Sequence, residues 1–270
     1  MELKQLGVER PPTLRVHERV AFEYRIDRRP RMLRRDHMFS NQLHPRGLTM
    51  DEDFFVCNSV HSHHLRTGMM FLAPGASHEF PIFPNEHHNL LMSGKLAIDL
   101  QGERVELLAR GDQMFAPAFE AYTVINTGDD PTWFLSGYTR VVDWAGLTPE
   151  ETPVSDELRR WSLLRAAAPD NIQGVQKIPG LEGTNVSSHT IDFAAGSQLT
   201  PQHLQVEQIV VGVEGQTSWH VDGIDYRIAF GDMLFIPALT PFSAISDERS
   251  RTVVYDISLE GGDREPATHA

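Results

Sequence analysis

Short apolar runs separated by Gly, Asn, Asp and Pro dominate the chain from Met69 onward, and few stretches carry the 3.6-residue period of an amphipathic helix. MMFLA, NLLMS, QMFA, IVVGVE and MLFI are each too short for a helix and are bounded by turn residues, which predicts buried strands. Between roughly 143 and 178 the pattern changes. SDELRRWSLLRAAA places Leu158, Trp161, Leu164 and Ala168 on one helical face behind Ser155 as N-cap, so a linker helix is predicted there. Before Thr67 the text is poorly periodic. FEYRI alternates as a strand does, and Pro11-Pro12, Pro30 and Pro45 break any long helix.

The strand-rich text is written twice. Gly75, Gly94 and Gly102 recur as Gly196, Gly215 and Gly223 at an offset of 121, and Gly111-Asp112 and Pro117 recur as Gly231-Asp232 and Pro237 at 120. A repeat of this size is a duplicated domain. Gly94 and Gly215 end apolar runs, Gly102 and Gly223 occupy hairpin turns, and Pro117 and Pro237 end short strands where a missing N–H is tolerated. The prediction is an all-β chain of two small antiparallel barrels. An N-terminal lead-in covers 1–66, the first barrel 67–142, the linker with its helix 143–184 and the second barrel 185–262. A disordered tail is expected over 263–270.

Composition narrows the function classes. Of the 270 residues 40% are hydrophobic and 23% charged, ordinary for a globular protein with real cores. No apolar run is long enough to span a membrane, and the N-terminus lacks a signal-peptide layout. Cys57 is the single cysteine, so no internal disulfide can form and a reducing, cytoplasmic setting is expected. The net charge of -13 divides into +5 over residues 1–46 and -18 over the rest. The basic arm carries no nucleic-acid motif, so it is expected to pair with acidic residues of its own chain or of a homodimer partner, with neither nucleic acid nor membrane as a partner. Phosphate-binding glycine loops and the G-x-S-x-G elbow are absent.

The glycine and proline frame resembles the cupin superfamily, in particular its two-barrel members, the bicupins. Gly75 to Gly94 and Gly196 to Gly215 match the frame of the first cupin motif, G-x5-H-x-H-x3,4-E-x6-G. Gly111-x5-Pro117 and Gly231-x5-Pro237 match the start of the second. Domain order, length and phrases such as FLAPGASHEF are most similar to the (S)-ureidoglycine aminohydrolases, which implies a manganese-type site in a barrel and a small polar metabolite as substrate. The ligand positions depart from that pattern. The second copy places Gln202, Leu204, Gln208 and Phe242 where the family has its donors, and the first places Pro81, Phe83, His87 and Tyr122.

Candidate residues follow from this frame. His87 stands just ahead of an apolar strand heading into a barrel, and Tyr122 comes from the opposite wall; a phenol can orient an imidazole acting as general acid or base. A divalent metal (Mn, Fe, Ni or Zn) would draw on His78, Glu86, His87 and His88, although alternation turns Glu86 and His88 away if His87 faces inward. His61, His63 and His64 form a second local group, read as surface or interface histidines. In the second half Gln202, Gln208 and, after a one-residue shift, His203 are the candidate ligand-binding groups. Three readings stand open: a hydrolase or lyase with its site in the first barrel, with or without metal; a metal-dependent dioxygenase; and a binding or structural protein without catalysis.

Overall fold

The computed structural model describes residues 29–35, 53–61, 65–80, 86–100, 102–118, 120–139, 162–166, 173–183 and 186–257. The expected strand FEYRI, the tail 263–270, Pro81, Phe83, and the side chains of His61, His63 and His64 lie outside them.

Twenty strands occur among the described residues, ten in each half. The first half has β1 (Arg31–Leu33), β2 (Phe54–His61), β3 (Leu65–Leu72), β4 (Ser77–Phe80), β5 (His87–Ser93), β6 (Leu96–Leu100), β7 (Glu103–Leu107), β8 (Gln113–Ala116), β9 (Tyr122–Asn126) and β10 (Thr132–Thr139). The second has β11 (Ser162–Leu164), β12 (Val175–Glu182), β13 (Val186–Phe193), β14 (Ser197–Gln202), β15 (Glu207–Glu214), β16 (Thr217–Val221), β17 (Ile224–Ile228), β18 (Met233–Ile236), β19 (Phe242–Ser246) and β20 (Ser250–Ile257).

Each half is a six-stranded antiparallel sheet packed on a four-stranded one. The first pairs β11-β8-β5-β10-β3-β2 with β4-β9-β6-β7, and the second pairs β1-β18-β15-β20-β13-β12 with β14-β19-β16-β17. Three apolar cores result. One, with Leu91, Ile98, Met114 and Phe134, fills the first barrel, and another, with Val210, Trp219, Leu234 and Val254, fills the second. The third, with Leu90, Met92, Ile209, Val211, Phe235 and Val253, joins the two six-stranded sheets back to back. Strands β5 and β15 therefore have apolar groups on both faces, one set inside a barrel and one between barrels. That is why NLLMS and IVVGVE read as unbroken apolar runs instead of alternating.

All eight repeated glycines take positive φ. At Gly94 the requirement is double: φ is +87° and an added Cβ would lie 2.4 Å from Thr132 Oγ1, so a side chain there would be strained and would collide. The hairpin turn at Asp222-Gly223 has φ of 50° and 78°, as a two-residue turn with both central residues left-handed requires.

Three elements differ from expectation: β2, within the lead-in 1–66, and β12, within the linker 143–184, are edge strands of the barrels' six-stranded sheets, and the third is β11. Ser162–Leu164, within the segment read as a helix, is the strand β11, and it adds to the edge of the first barrel's sheet through Ser162–Phe115, Leu163–Met114 and Leu164–Gln113. The strand β1, from the lead-in, adds in the same way to the second barrel through Arg31–Phe235, Met32–Leu234 and Leu33–Met233. Each half thus lends its first strand to the other. The repeated aspartates clamp these strands. Asp112 accepts from Ala166 N at 2.8 Å, Arg165 Nη1 at 2.8 Å, and the amides of Leu108 and Ala109. Asp232 accepts from Arg35 N at 2.8 Å, Arg34 Nη1 at 3.1 Å, and Ala229 N. Burial acts to raise the pKa of Asp112, but the amides of Ala166, Leu108 and Ala109 together with Arg165 outweigh it and hold the carboxyl below its ordinary value.

Replacing Asp112 with Ala leaves those amides without an acceptor and is expected to cost about 2–4 kcal/mol. Urea unfolding measures the loss, and hydrogen exchange at Leu163 to Ala166 should speed up with it. The exposed pair Asp99–Arg104, at 3.8 Å, serves as control, and Asp99→Ala is expected to cost less than about 1 kcal/mol.

Candidate functional site

In the first barrel β5 and β9 come from opposite sheets, and their inward side chains meet. His87 is the first residue of β5 and Tyr122 the first of β9; His87 Nδ1 lies 2.9 Å from Tyr122 OH. Alternation places Asn89 on the same inward face, and its Nδ2 donates to the phenol oxygen at 3.3 Å. The Ser136 side chain is a further partner of that oxygen. Phe80 stacks on Tyr122 with ring centroids 4.7 Å apart and presents its edge to His87 at 5.8 Å. Burial without a compensating anion pushes the His87 pKa down to about 4 and the Tyr122 pKa up, so both groups are neutral at pH 7. A neutral imidazole offers one basic nitrogen and one N–H, so it can take up one proton and release another.

The other residues proposed from sequence around His87 are not brought to it as one ligand set. Glu86 and His88 point to the opposite face, as alternation requires. His88 is buried between the barrels, with Phe115 at 5.1 Å and Tyr255 of the second half at 5.7 Å, and neither ring nitrogen has a hydrogen-bond partner among the described residues. Burial, with a contribution from His87, pushes its pKa down to about 3. Glu86 is also buried on that side, where its carboxylate approaches Gly183. His78 stacks flat on Phe54 at 3.7 Å. Among the described residues no group of three His, Cys, Asp or Glu side chains could hold a metal. The expected cluster of His78, Glu86, His87 and His88 is thus divided: His78 stands on β4 of the four-stranded sheet, and the strand's period of two turns Glu86 and His88 away from His87.

The second barrel carries a different polar cluster at the same level. Gln208 stands in the place of His87, and its Nε2 donates to Asp256 Oδ1 at 2.6 Å; Asp256 is its partner across the ladder between β15 and β20. His189 on β13 reaches the other carboxylate oxygen, with Nδ1 2.9 Å from Oδ2. Burial acts to raise the Asp256 pKa, but His189, Gln208 and Lys177 outweigh it and hold it below the ordinary value. Gln202 is half-buried opposite Phe242, and Leu204 packs on the barrel core, while His203 between them is exposed. His220 pairs with Asp225 at the surface.

Asn89, Ser136, His189 and Asp256 were not read from the sequence. Asn89 lies one alternation step beyond His87 and was within reach of the strand pattern. His189 and Asp256 are far apart in the chain, and only the pairing of β13 with β20 brings them together.

The donor sets do not fit a cupin-type metal. Pro81, Phe83, Leu204 and Phe242 have no side-chain donor atoms, which leaves His87 and Tyr122 at the frame positions of the first barrel and two neutral amides, Gln202 and Gln208, at those of the second, fewer and weaker donors than such a metal needs.

No protein-family model and no curated protein matches the sequence. The fold does have solved counterparts. A salicylate 1,2-dioxygenase from Pseudaminobacter salicylatoxidans matches with a TM-score of 0.65 at 13% identity, over 84% of this chain and 83% of that one. AerE from Microcystis aeruginosa matches at 0.62 and 13% identity, over 78% of this chain and 96% of that one. A cupin 2 conserved barrel domain protein from Leptotrichia buccalis matches at 0.58 and 12% identity, over 77% and 90%. At such identities the likeness is one of fold alone. The chain is an all-β protein of two cupin barrels in tandem.

Proposed function

We propose that this protein is an enzyme acting on a small polar molecule in the first barrel by proton transfer, of the hydrolase or lyase type, with His87 as general acid–base and Tyr122 as its orienting partner. The observation that carries the reading is the 2.9 Å contact between His87 and Tyr122, backed by Asn89 and Ser136, beside the apolar core of the barrel. A buried imidazole and phenol are costly to keep in a core unless they pair, and a paired dyad held in one geometry is what general acid–base chemistry requires. The unpartnered carbonyl of Asn89 is buried on the same face and is suited to accept a substrate N–H or O–H. The resemblance to the ureidoglycine aminohydrolases makes ureido and amide compounds the first substrates to try. The metal-dependent dioxygenase reading draws support from the fold of the salicylate dioxygenase, but the donors present do not suit it.

The test is turnover of a panel of ureido, amide and hydroxy-acid compounds, followed by ammonia release and by proton NMR. His87→Gln is expected to lower kcat by roughly 100- to 10,000-fold, and Tyr122→Phe by less, with folding checked by circular dichroism. Protonation removes the basic nitrogen, so the acid limb of the rate profile should fall near pH 4 and not near the ordinary histidine value of 6.5. Unchanged turnover in His87→Gln would sink the assignment.

A further inference from the structure

In the His189–Asp256–Gln208 cluster only Gln208 occupies a position of the cupin frame; His189 and Asp256 lie outside it, and the cluster has no part in the chemistry proposed for the first barrel. Its three residues come from neighbouring strands and face into the second barrel. Ile191, Val210 and Val254, two positions along each strand, belong to that barrel's apolar core. A carboxylate only accepts hydrogen bonds, so the proton of the 2.9 Å contact resides on His189 Nδ1. In the neutral ring the lone pair is then on Nε2, and this nitrogen has no partner among the described residues. The cluster is not sealed: the side chain of Asp256 keeps 20% of its exposure and that of His189 keeps 6%. Gln208 holds the second carboxylate oxygen and so prevents Asp256 from rotating away from the ring.

A purely structural pair would need none of this. A carboxylate and an imidazole facing a core are expensive compared with apolar residues of the same volume, and the other barrel keeps no counterpart, having Gly68 and Tyr138 at the two positions.

We propose that the second barrel contains a separate site in which His189 is a general base, positioned by Asp256, for a small neutral molecule that presents an O–H or N–H at the barrel mouth. In the step itself Nε2 takes the proton of that group. The imidazolium so formed stays paired with the Asp256 carboxylate, and the proton returns from Nε2 to the product. No oxidant or metal is required.

The test uses diethyl pyrocarbonate on the full chain at pH 7, with each histidine followed by mass spectrometry. The reagent transfers an ethoxycarbonyl group to a lone-pair imidazole nitrogen; the N–C bond forms, the anhydride C–O bond breaks, and ethanol and carbon dioxide leave. His189 is expected to label at a rate within a few fold of exposed His203, although it is far more buried. Asp256→Asn should slow it about 5-fold or more while His203 is unaffected. A native His189 that labels only after denaturation overturns the proposal, as does an equal rate in Asp256→Asn. If that variant does not fold, two-bond 15N–1H correlations on the wild-type chain decide, since a proton on Nε2 of His189 contradicts the assignment.

Discussion

Asp192→Ala is expected to cost about 3–5 kcal/mol, a large share of the stability of a domain this size. Asp192 and Arg251 face each other across the ladder of β13 and β20, with Arg251 Nε 2.6 Å from Oδ1 and Nη2 2.8 Å from Oδ2. This is a two-point contact between a planar cation and a carboxylate, and both side chains are almost completely buried. Contact with Asp192, together with the charge of Glu214, outweighs burial and raises the Arg251 pKa. Arginine cannot shed its proton, so without Asp192 a buried cation is left without its carboxylate. The comparison that separates charge from volume is the double replacement Asp192→Leu with Arg251→Met. It removes both charges and should recover most of the loss. Equilibrium urea unfolding measures all three proteins. A single-variant loss below about 1 kcal/mol would show that the pair contributes nothing net.

The second large effect is on pH dependence. His87 and His88 are fully buried with folded pKa values of about 4 and about 3, against 6.5 in an unfolded chain. Below pH 6.5 the unfolded chain takes up protons that the folded one refuses, so stability falls as pH is lowered from 6.5 toward 4. By pH 5 each histidine should have cost roughly 2 kcal/mol, or about 4 together. Asp112 and Asp256 have lowered folded values, so their contribution is present above the unfolded carboxylate value of 3.8 and is lost only as pH falls below it. The two groups of residues therefore act in separate windows. His88→Leu isolates one histidine: it should flatten the stability profile between pH 6.5 and 4 by about half, and it also removes two unpartnered ring nitrogens from between the barrels. A profile that is flat in that window in the wild-type chain would mean that the histidines become charged without unfolding.

The sequence determined whatever depends on local stereochemistry. The repeated glycines take the left-handed turns that their spacing implies, Pro117 and Pro237 follow directly on β8 and β18, and the apolar runs between them are strands. The inward direction of His87, and hence the separation of Glu86 and His88 from it, followed from the two-residue period of a strand. The pairing of His87 with Tyr122 was accessible because the frame places both at the mouth of one barrel. Tertiary structure alone decided the rest. Ser162–Leu164 has a sequence suited to a helix, yet the open edge of β8 and the buried carboxylate of Asp112 offer it hydrogen bonds that an isolated helix turn does not. The exchange of β1 and β11 between the halves is invisible in the text, because a strand's partner is chosen by which edge lies open in space. His189 and Asp256 meet for the same reason: the ladder between β13 and β20 brings together residues that no local spacing relates.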